Sequence, residues 1–233
     1  MKIRARDELS AEEETAIRES VREVITSRAR STVVRAHQMM DYSTILVSGI
    51  AARRKDMEDG NSLITELHVA GDFTDLHSFT LKYLDHDIIA LTPCRFAVIP
   101  HERLKRITER LPHLTRVYWF ATNLDAAIHR EWELSLARRD ASARMAHLFC
   151  ELYLRLKLVG LAEGFAYDLP LTQETLSDVL GLTPVHVNRT LQQLRSEGDV
   201  SFERGRLTIH DWDALVRRAG FDPAYLYLDP QVR

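Results

Sequence analysis

The stretch LTQETLSDVLGLTPVHVNRTLQQLR, residues 171–195, determines how the second half of the chain folds. Thr172 is a suitable N-cap for a first short helix, and Gly181 is a suitable residue to end it, because glycine tolerates the left-handed conformation there. Thr183 can then cap a second helix, with Pro184 at its first position, where the missing N–H of proline costs nothing. The stretch therefore predicts two short helices joined by a tight turn.

The second of these helices has an unusual surface. Residues placed about 100° apart around its axis bring Val187, Leu191 and Leu194 to one side, which we expect to face a core. The opposite side carries Val185, Arg189, Gln192 and Ser196, flanked by His186, Asn188 and Gln193. No Asp or Glu occurs in residues 182–195, although the chain as a whole has 34 acidic and 31 basic residues. An acid-free surface on a chain of net charge −3 indicates a negatively charged partner at this helix.

A predicted hairpin follows in DVSFERGRLTIHDW, residues 199–212. Its pattern places Val200 and Phe202 inward, opposite Leu207 and Ile209, across a turn at Arg204-Gly205-Arg206. Two helices, a turn and a hairpin in this order form a winged helix-turn-helix, which places its second helix in the DNA major groove. There Arg pairs with guanine, Asn or Gln with adenine, and an aliphatic side chain contacts the thymine methyl. The alternative is a polar face that is merely solvated, and the adjoining turn and wing weaken it.

The first half of the chain has the pattern of a β domain. Residues 44–100 contain several apolar strand patterns, and Asp59-Gly60 between two of them is a strong signal for a short hairpin. An acidic helix, SAEEETAIRESVREVI at residues 10–25, comes before them, and residues 26–43 have no clear pattern. We therefore expect a compact antiparallel β unit preceded by a short helix.

A helical period begins at His101 and continues far along the chain. After a predicted break at Pro112, apolar residues alternate spacings of three and four, which is the seam pattern of a coiled coil. The members of this stripe are Leu114, Val117, Ala121, Leu124, Ile128 and Trp132. The stripe could pack on the β unit of the same chain or against its own copy in a twofold dimer. We favour the dimer, because Trp132 continues the stripe beyond the reach of the β unit. A further helix is predicted from Asp140 to Gly160.

Composition limits the class of protein. No apolar run approaches the ~20 residues that cross a bilayer, and the N-terminal sequence becomes acidic where a secretion signal needs an apolar stretch. We therefore expect a cytoplasmic protein. Cys94 and Cys150 have no CxxC partner and cannot by themselves form a zinc or iron–sulfur site, so we expect two buried structural cysteines. No arrangement of nucleophile, base and acid stands out, so the sequence predicts no enzymatic activity.

The chain resembles the Crp-Fnr family of transcription regulators. The most specific part of the resemblance is LTQETLSDVLGLTPVHVNRTLQQLR, and GDFTDLHSF with DHDIIALTPCRFAVIP is similar to the sensor core of a subgroup of these regulators. The resemblance covers nearly the whole chain and implies an α+β protein of three parts. These are an N-terminal β-roll (jelly roll) sensor domain of the cyclic-nucleotide-binding type at residues 1–111, a long dimerisation helix at 112–138, and a C-terminal winged helix-turn-helix DNA-binding domain at 139–233. The resemblance also implies a homodimer on a near-palindromic operator of double-stranded DNA, with RNA polymerase as a further partner.

The resemblance assigns the base-reading positions of the family to Pro184, Val185 and Arg189. Only Arg189 keeps the arginine common in the family, while Pro184 and Val185 replace the Arg and Glu of the cyclic-AMP receptor protein. This chain is therefore not expected to share the operator of that receptor. Arg204 and Arg206, on the wing turn, are expected to approach phosphates. The complete predicted DNA-binding set is Thr172, Thr183, Pro184, Val185, His186, Asn188, Arg189, Gln192, Gln193, Arg204 and Arg206.

The sensor half lacks the phosphate-binding residues of the cyclic-nucleotide binders in this family. Gly71 and Asp72 match the turn that opens the phosphate-binding cassette, but Leu76 stands near the position of its Glu, and Leu84 near that of its Arg. No arginine occurs between Gly71 and Pro93, and a buried phosphate without a charge-assisted partner is costly. Cyclic AMP in the usual mode is therefore not expected, and no cofactor is predicted. The candidate effector pocket comprises Gly71, Asp72, Asp75, His77, Lys82 and His86.

Three functional interpretations of the sensor half remain open. A group of metal-competent side chains occupies one short stretch: Asp75, His77, Asp85, His86 and Asp87. A polar loop capped by its own Asp and His side chains is the favoured interpretation of this group. The N-terminal cysteines of an oxygen-sensing iron–sulfur cluster are absent, whereas ten histidines leave haem ligands available. The protein is thus predicted to be a regulator with an unidentified small-molecule effector, a ligand-independent regulator whose β-roll is only a scaffold, or a metal- or haem-dependent sensor or enzyme.

Overall fold

The computed structural model describes residues 2–231, which form an α+β fold. Its α-helices are α1 (Ala11–Ser20), α2 (Ser78–Leu81), α3 (His101–Arg110), α4 (Pro112–Arg138), α5 (Ala141–Leu158), α6 (Gln173–Leu180), α7 (Pro184–Ser196) and α8 (Trp212–Ala219). Its strands are β1 (Glu23–Ser27), β2 (Ser31–Val34), β3 (Tyr42–Ser48), β4 (Ala51–Asp56), β5 (Ser62–His68), β6 (Asp87–Ala90), β7 (Cys94–Pro100), β8 (Ala162–Glu163), β9 (Ala166–Asp168), β10 (Val200–Glu203) and β11 (Arg206–Ile209). Short 3-10 turns lie at Lys2–Ala5 and Pro223–Leu226.

The described residues divide into two compact units. The first comprises residues 2–126 together with 227–231, and the second comprises residues 127–226. The division lies within α4, whereas the sequence analysis treated this helix as a part of its own. We call these the sensor unit and the winged unit.

Two antiparallel sheets form the β-roll of the sensor unit. One has the strand order β1-β7-β3 and the other the order β2-β6-β4-β5. The predicted hairpin at Asp59-Gly60 joins β4 to β5, with Gly60 at φ 85° and the Asn61 amide donating to Asp59 Oδ1 at 2.9 Å. Apolar side chains of both sheets, such as Leu46 and Ile64, are fully buried and form the core.

Helix α1 is shorter than the sequence predicted. Ser10 and Glu13 form a capping box at its start, with reciprocal hydrogen bonds between side chain and backbone. The helix ends before the predicted residue because the β-branched segment Glu23–Ser27 pairs with β7 instead. In the stretch that had no clear pattern, Ser31–Val34 pairs with β6.

Helix α4 begins where the sequence predicted a break. Leu111 leaves the helical conformation, with φ −123° and ψ 83°, immediately before Pro112. The apolar stripe of α4 is covered by the chain itself. Its buried members are Leu114, Val117, Leu124, Ile128 and Trp132, and Ala121 is half-buried.

The coverage of this stripe corrects its assignment to a dimer interface. Leu114 and Val117 belong to one core cluster with Phe73 of the sensor unit, and Trp132 Nε1 donates to Glu151 within the winged unit at 3.0 Å. The stripe therefore has the intramolecular partner that the sequence analysis ranked second. The reason is that the core of each unit extends as far as its own part of the helix.

The winged unit contains the predicted helices and hairpin. Asp140 caps α5 by accepting a hydrogen bond from the Ala143 amide at 2.8 Å. In the hairpin, Val200 pairs with Ile209, as the alternation of its residues predicted. The sequence analysis missed β8, β9 and α8: β9 adds to β11 and completes a sheet of order β10-β11-β9-β8, and α8 packs against α5.

Candidate nucleic-acid interface

Local hydrogen bonds set the geometry of the α6–turn–α7 segment. Thr172 Oγ1 accepts from the Thr175 amide at 3.1 Å, and α6 ends at Gly181, which has φ 60°. Thr183 Oγ1 accepts from the His186 amide at 3.2 Å, with Pro184 at the start of α7. The two predicted N-caps and the predicted glycine terminus are therefore confirmed, and their side chains are used for capping.

The inner side of α7 is apolar and the outer side is open. Val187 and Leu194 are fully buried, and Leu191 is 5% exposed. Thr190, which the helical wheel had not assigned to the core, is also buried. The outer side presents Pro184, Val185, Arg189, Gln192 and Gln193 as exposed residues, with Val185 at 81% exposure.

Arg189 projects from this outer side without an acidic neighbour. Among residues 2–231 its guanidinium makes no ion pair and no hydrogen bond, so the interpretation that it pairs with an acid on a nearby helix finds no support in the structure. A planar guanidinium with free donors suits the O6 and N7 acceptors of guanine. Arg189 is therefore available to a base edge.

Two other polar residues of α7 are less available than predicted. Asn188 Nδ2 donates to Gln173 Oε1 of α6 at 3.1 Å, so this side chain links the two helices. Gln193 Nε2 donates to Glu197 Oε1 at 3.0 Å, which turns it toward the C-terminal end of α7. His186 is half-buried. These three residues support the position of α7 more than they extend from it.

The wing turn carries the two predicted phosphate-binding arginines. Arg204 and Gly205 both have positive φ, 50° and 77°, as a tight two-residue hairpin turn requires. Glycine is also needed there because a Cβ on Gly205 would lie 3.2 Å from Pro170 Cα. Arg204 is exposed, whereas Arg206 Nη1 lies 2.8 Å from Asp168 Oδ1 in an exposed ion pair. Exposed pairs of this kind contribute only about 0–1 kcal/mol, so a phosphate can compete for Arg206.

The sequence analysis missed an anchor at the far end of α7. Arg218 of α8 forms an ion pair with Glu197, and its Nε lies 2.7 Å from Asp199 Oδ2. These contacts join α8 to the end of α7 and to the start of the wing. The available signal was the acidic pair that follows an otherwise acid-free helix, opposite a basic last turn in α8.

The predicted effector residues do not line a common pocket. Asp75 is fully buried, where its carboxylate accepts from the Thr44 amide at 2.6 Å and from Thr44 Oγ1 at 3.0 Å. Burial raises the pKa of Asp75 to about 7. Lys82 Nζ donates to Phe79 O at 2.8 Å, and Asp72 forms an ion pair with Lys2. The main recess of the sensor unit is lined by Gly71 and Asp72 but not by Asp75, His77, Lys82 or His86.

The group of metal-competent residues is also dispersed among other contacts. The rings of His77 and His86 lie 5.4 Å apart, but Asp85 pairs with Lys55 at 2.8 Å. Asp87 accepts from the Ala36 amide at 2.8 Å. Over the part of the chain that the structure describes, no group of three or more His, Cys, Asp or Glu residues could hold a metal ion. Within the same residues, no helix is long and apolar enough to span a membrane.

Comparisons with known proteins agree with this architecture. Residues 24–110 match the cyclic nucleotide-binding domain family, and residues 143–218 match the Crp-like helix-turn-helix domain family. The chain is 30% identical over 216 residues to the transcriptional activator protein FnrL of Cereibacter sphaeroides, covering 90% of this chain and 86% of that protein. It is 34% identical over 179 residues to a "Probable transcriptional activator" of Rhizobium leguminosarum bv. viciae, covering 76% and 72%. The fold is similar to that of FixK2 from Bradyrhizobium japonicum, with a TM-score of 0.78 at 20% identity over 86% of this chain and 98% of that one.

Proposed function

The chain belongs to the Crp-Fnr family of transcription regulators, and we propose that it binds a near-palindromic operator as a homodimer in which Arg189 reads one guanine per half-site. The observation that carries this proposal is the exposed, unpaired guanidinium of Arg189 on the outer side of α7. A winged helix-turn-helix presents this side of its second helix to the major groove. Val185, at 81% exposure, adds an aliphatic contact suited to a thymine methyl.

The expected operator differs from that of the cyclic-AMP receptor protein. Pro184 offers no side-chain donor, and Val185 offers no acceptor, at two positions where that receptor has Arg and Glu. Arg204 and Arg206 supply contacts to phosphates, which position the protein without reading sequence. The local basic surface acts in spite of the overall net charge of −3.

The test is binding of Arg189→Ala to operators varied one base pair at a time. We expect a loss of about 1–3 kcal/mol per half-site and a relaxed preference at one base pair. Arg195→Ala is the matched control, because Arg195 is exposed on the last turn of the same helix. Its loss should weaken every operator alike, if it has any effect. Uniform weakening by Arg189→Ala, with no position relaxed, would contradict the base-reading role.

The proposed dimer uses the exposed side of α4, since the apolar stripe is already covered. Exposed residues on this helix repeat at spacings of three and four: Arg116, Trp119, Asn123, Ala126 and Arg130. Trp119 is 67% exposed, and a large aromatic side chain in that position is a typical anchor of a protein interface. A twofold axis at this face would match two half-sites in the DNA.

The proposal includes a cytoplasmic location and RNA polymerase as a partner of the bound dimer, and it includes no enzymatic activity. We also propose that the sensor does not use cyclic AMP in the usual mode. The cations nearest the phosphate-binding turn in sequence are already engaged, because Lys2 pairs with Asp72 and Lys82 donates to Phe79 O at 2.8 Å. A cyclic phosphate would require one of these contacts to break.

A further inference from the structure

Tyr118 of α4 carries a buried hydroxyl without a partner. The residue is 5% exposed, and within residues 2–231 its hydroxyl oxygen has no hydrogen-bond partner. Burial raises the pKa of this phenol, so the group is neutral and retains its proton as a donor. Other buried phenols of the chain are paired: Tyr167 donates to Phe149 O at 3.0 Å, and Tyr225 donates to Glu151 Oε2 at 2.8 Å. Leaving such a donor unpaired costs stability, so an unpaired one in a native fold requires a reason.

Tyr118 lines the main recess of the sensor unit. The recess contains about 600 Å³ that is free of protein atoms, part of it open to solvent, and lies where the segment after β5 meets α4. Its apolar wall consists of Phe73, Leu76, Val117, Tyr118 and Leu124. The rings of Phe73 and Tyr118 lie edge to face, with centroids 5.5 Å apart. A further aromatic ring can extend this arrangement.

The charged groups around the recess are engaged with one another. Lys2 pairs with Asp72, and Asp125 lies 2.9 Å from Arg53. Asp7 lies 3.3 Å from His113. A charged ligand would have to break one of these pairs, whereas a neutral ligand leaves them intact.

The 3-10 turn Lys2–Ala5 covers this recess. Gly71 makes the close approach possible, because it has φ 89° and a Cβ there would lie 2.5 Å from Lys2 Cβ. A second recess flanks the same turn and shares Ile3, Gly71 and Phe73 with the first. The turn therefore has open space on two sides, as a segment that moves aside for a ligand requires.

From these observations we infer that the recess binds a small neutral aromatic molecule carrying a carbonyl oxygen, to which the Tyr118 hydroxyl donates. The ring would lie against Phe73 and Leu124, and the carbonyl would satisfy the unpaired donor. The paired rim explains why the ligand is uncharged. The inference goes beyond DNA recognition and does not depend on it.

The first test uses 4-fluoroacetophenone as the probe, followed by fluorine NMR on the full chain without DNA. We expect saturable binding with a dissociation constant in the millimolar range or below. Tyr118→Phe should weaken it roughly three- to tenfold, the contribution of one hydrogen bond between neutral groups. Tyr167→Phe, which removes a paired buried hydroxyl outside the recess, should bind as the unaltered protein does. Absence of saturable binding to the unaltered protein, or equal binding by Tyr118→Phe, would overturn the inference.

The second test needs no ligand. Removing an unpaired buried hydroxyl should raise the thermal midpoint of the free protein, whereas removing a paired one should lower it. We therefore expect Tyr118→Phe to melt a few degrees higher than the unaltered protein and Tyr167→Phe to melt lower. A lowered midpoint for Tyr118→Phe would show that its hydroxyl is partnered, and the ligand site would lose its basis. Both tests are independent of operator binding, so failure of the DNA-binding proposal would remain a separate result.

Discussion

At the scale of single residues, Asp75 is the most strongly perturbed carboxyl group of the sensor unit. It is fully buried next to Thr44 and Thr74, and its pKa is raised to about 7, mainly by burial. Hydrogen bonds from Thr44 and the positive charge of Arg53 lower this pKa and partly compensate for the burial. Asp75 in turn contributes to the raised pKa of Tyr42. The fold therefore favours the protonated form of Asp75 near neutral pH.

We predict that Asp75→Asn reduces the loss of stability that occurs as the pH rises toward neutrality. The folded pKa lies above the unfolded one, so the unfolded chain releases this proton first, and folding becomes less favourable as the pH increases between the two values. Relative to the variant, the unaltered protein should lose about 2 kcal/mol of unfolding free energy from about pH 5 to about pH 7. Urea unfolding at several pH values measures this difference. Asp213→Asn, at an exposed position, is the control, and parallel pH curves for Asp75→Asn and the unaltered protein would contradict the prediction.

At the scale of elements, the two sides of α4 have different roles. The side that contains Leu124 is covered by the chain, and the side that contains Trp119 is open. Substitutions on the two sides should therefore affect different properties of the protein. The covered side contributes to the stability of the units, and the open side is the proposed dimer contact.

We predict that Trp119→Glu yields a folded monomer with weakened operator binding. A charge placed at the centre of the proposed contact must be desolvated in the dimer, while the monomer leaves it in water. Sedimentation velocity measures the assembly, and circular dichroism checks the fold. Met39→Glu is the control, because Met39 is 71% exposed on the sensor unit away from α4. A dimer that persists in Trp119→Glu would place the contact elsewhere.

Leu124→Ala should behave in the opposite way. The side chain is 7% exposed within its own chain, so its truncation should cost about 2–5 kcal/mol of stability through the cavity that it leaves. The thermal midpoint should fall, and the folded fraction should retain its assembly state. Dissociation of a stably folded protein by this variant would instead restore the apolar stripe as the dimer contact.

At the scale of the whole molecule, DNA binding relies on a local surface in a chain that is acidic overall. The net charge is −3, so the arginines of the wing provide an attraction that the chain as a whole does not. Asp168 reduces this attraction by pairing with Arg206. The carboxylate thus acts against phosphate binding at the position where the wing turn is exposed.

We predict that Asp168→Asn strengthens binding to all DNA sequences alike and that Arg204→Ala weakens it alike. Each change in the number of phosphate contacts should alter the slope of log affinity against log salt by roughly one unit, upward in the first variant and downward in the second. Titrations at several salt concentrations with one specific and one unrelated duplex measure both effects. A change of base preference in either variant would show that the wing reads sequence.

We also predict that the full chain shows no cyclic-AMP dependence. Calorimetry should detect no binding in the micromolar range, because a phosphate would have to displace Lys2 from Asp72 or Lys82 from Phe79 O. Micromolar binding would mean that one of these lysines leaves its contact to neutralise the phosphate.

The parts of the fold that sequence predicts well are those whose cause is local. Thr172, Thr183 and Gly181 terminate helices through hydrogen bonds within a few residues, and the Arg204-Gly205 turn sets the register of its own hairpin. The outward position of Arg189 follows from helical geometry once the inner side is known. For these reasons the sequence alone determined the winged helix-turn-helix and its central base-reading residue.

Contacts between residues distant in sequence were decided only by the tertiary structure. Lys2 meets Asp72, and Arg53 meets both Glu66 and Asp125, because separate elements pack around one core. The stripe of α4 has a coiled-coil spacing that fits two partners equally well, and its coverage by the same chain is a property of how each unit closes on the helix. Burial likewise converts Asp75 from a plausible loop residue into an interior one and leaves the Tyr118 hydroxyl without a partner in the described residues. Periodicity states which residues share a face, whereas only packing states what that face meets.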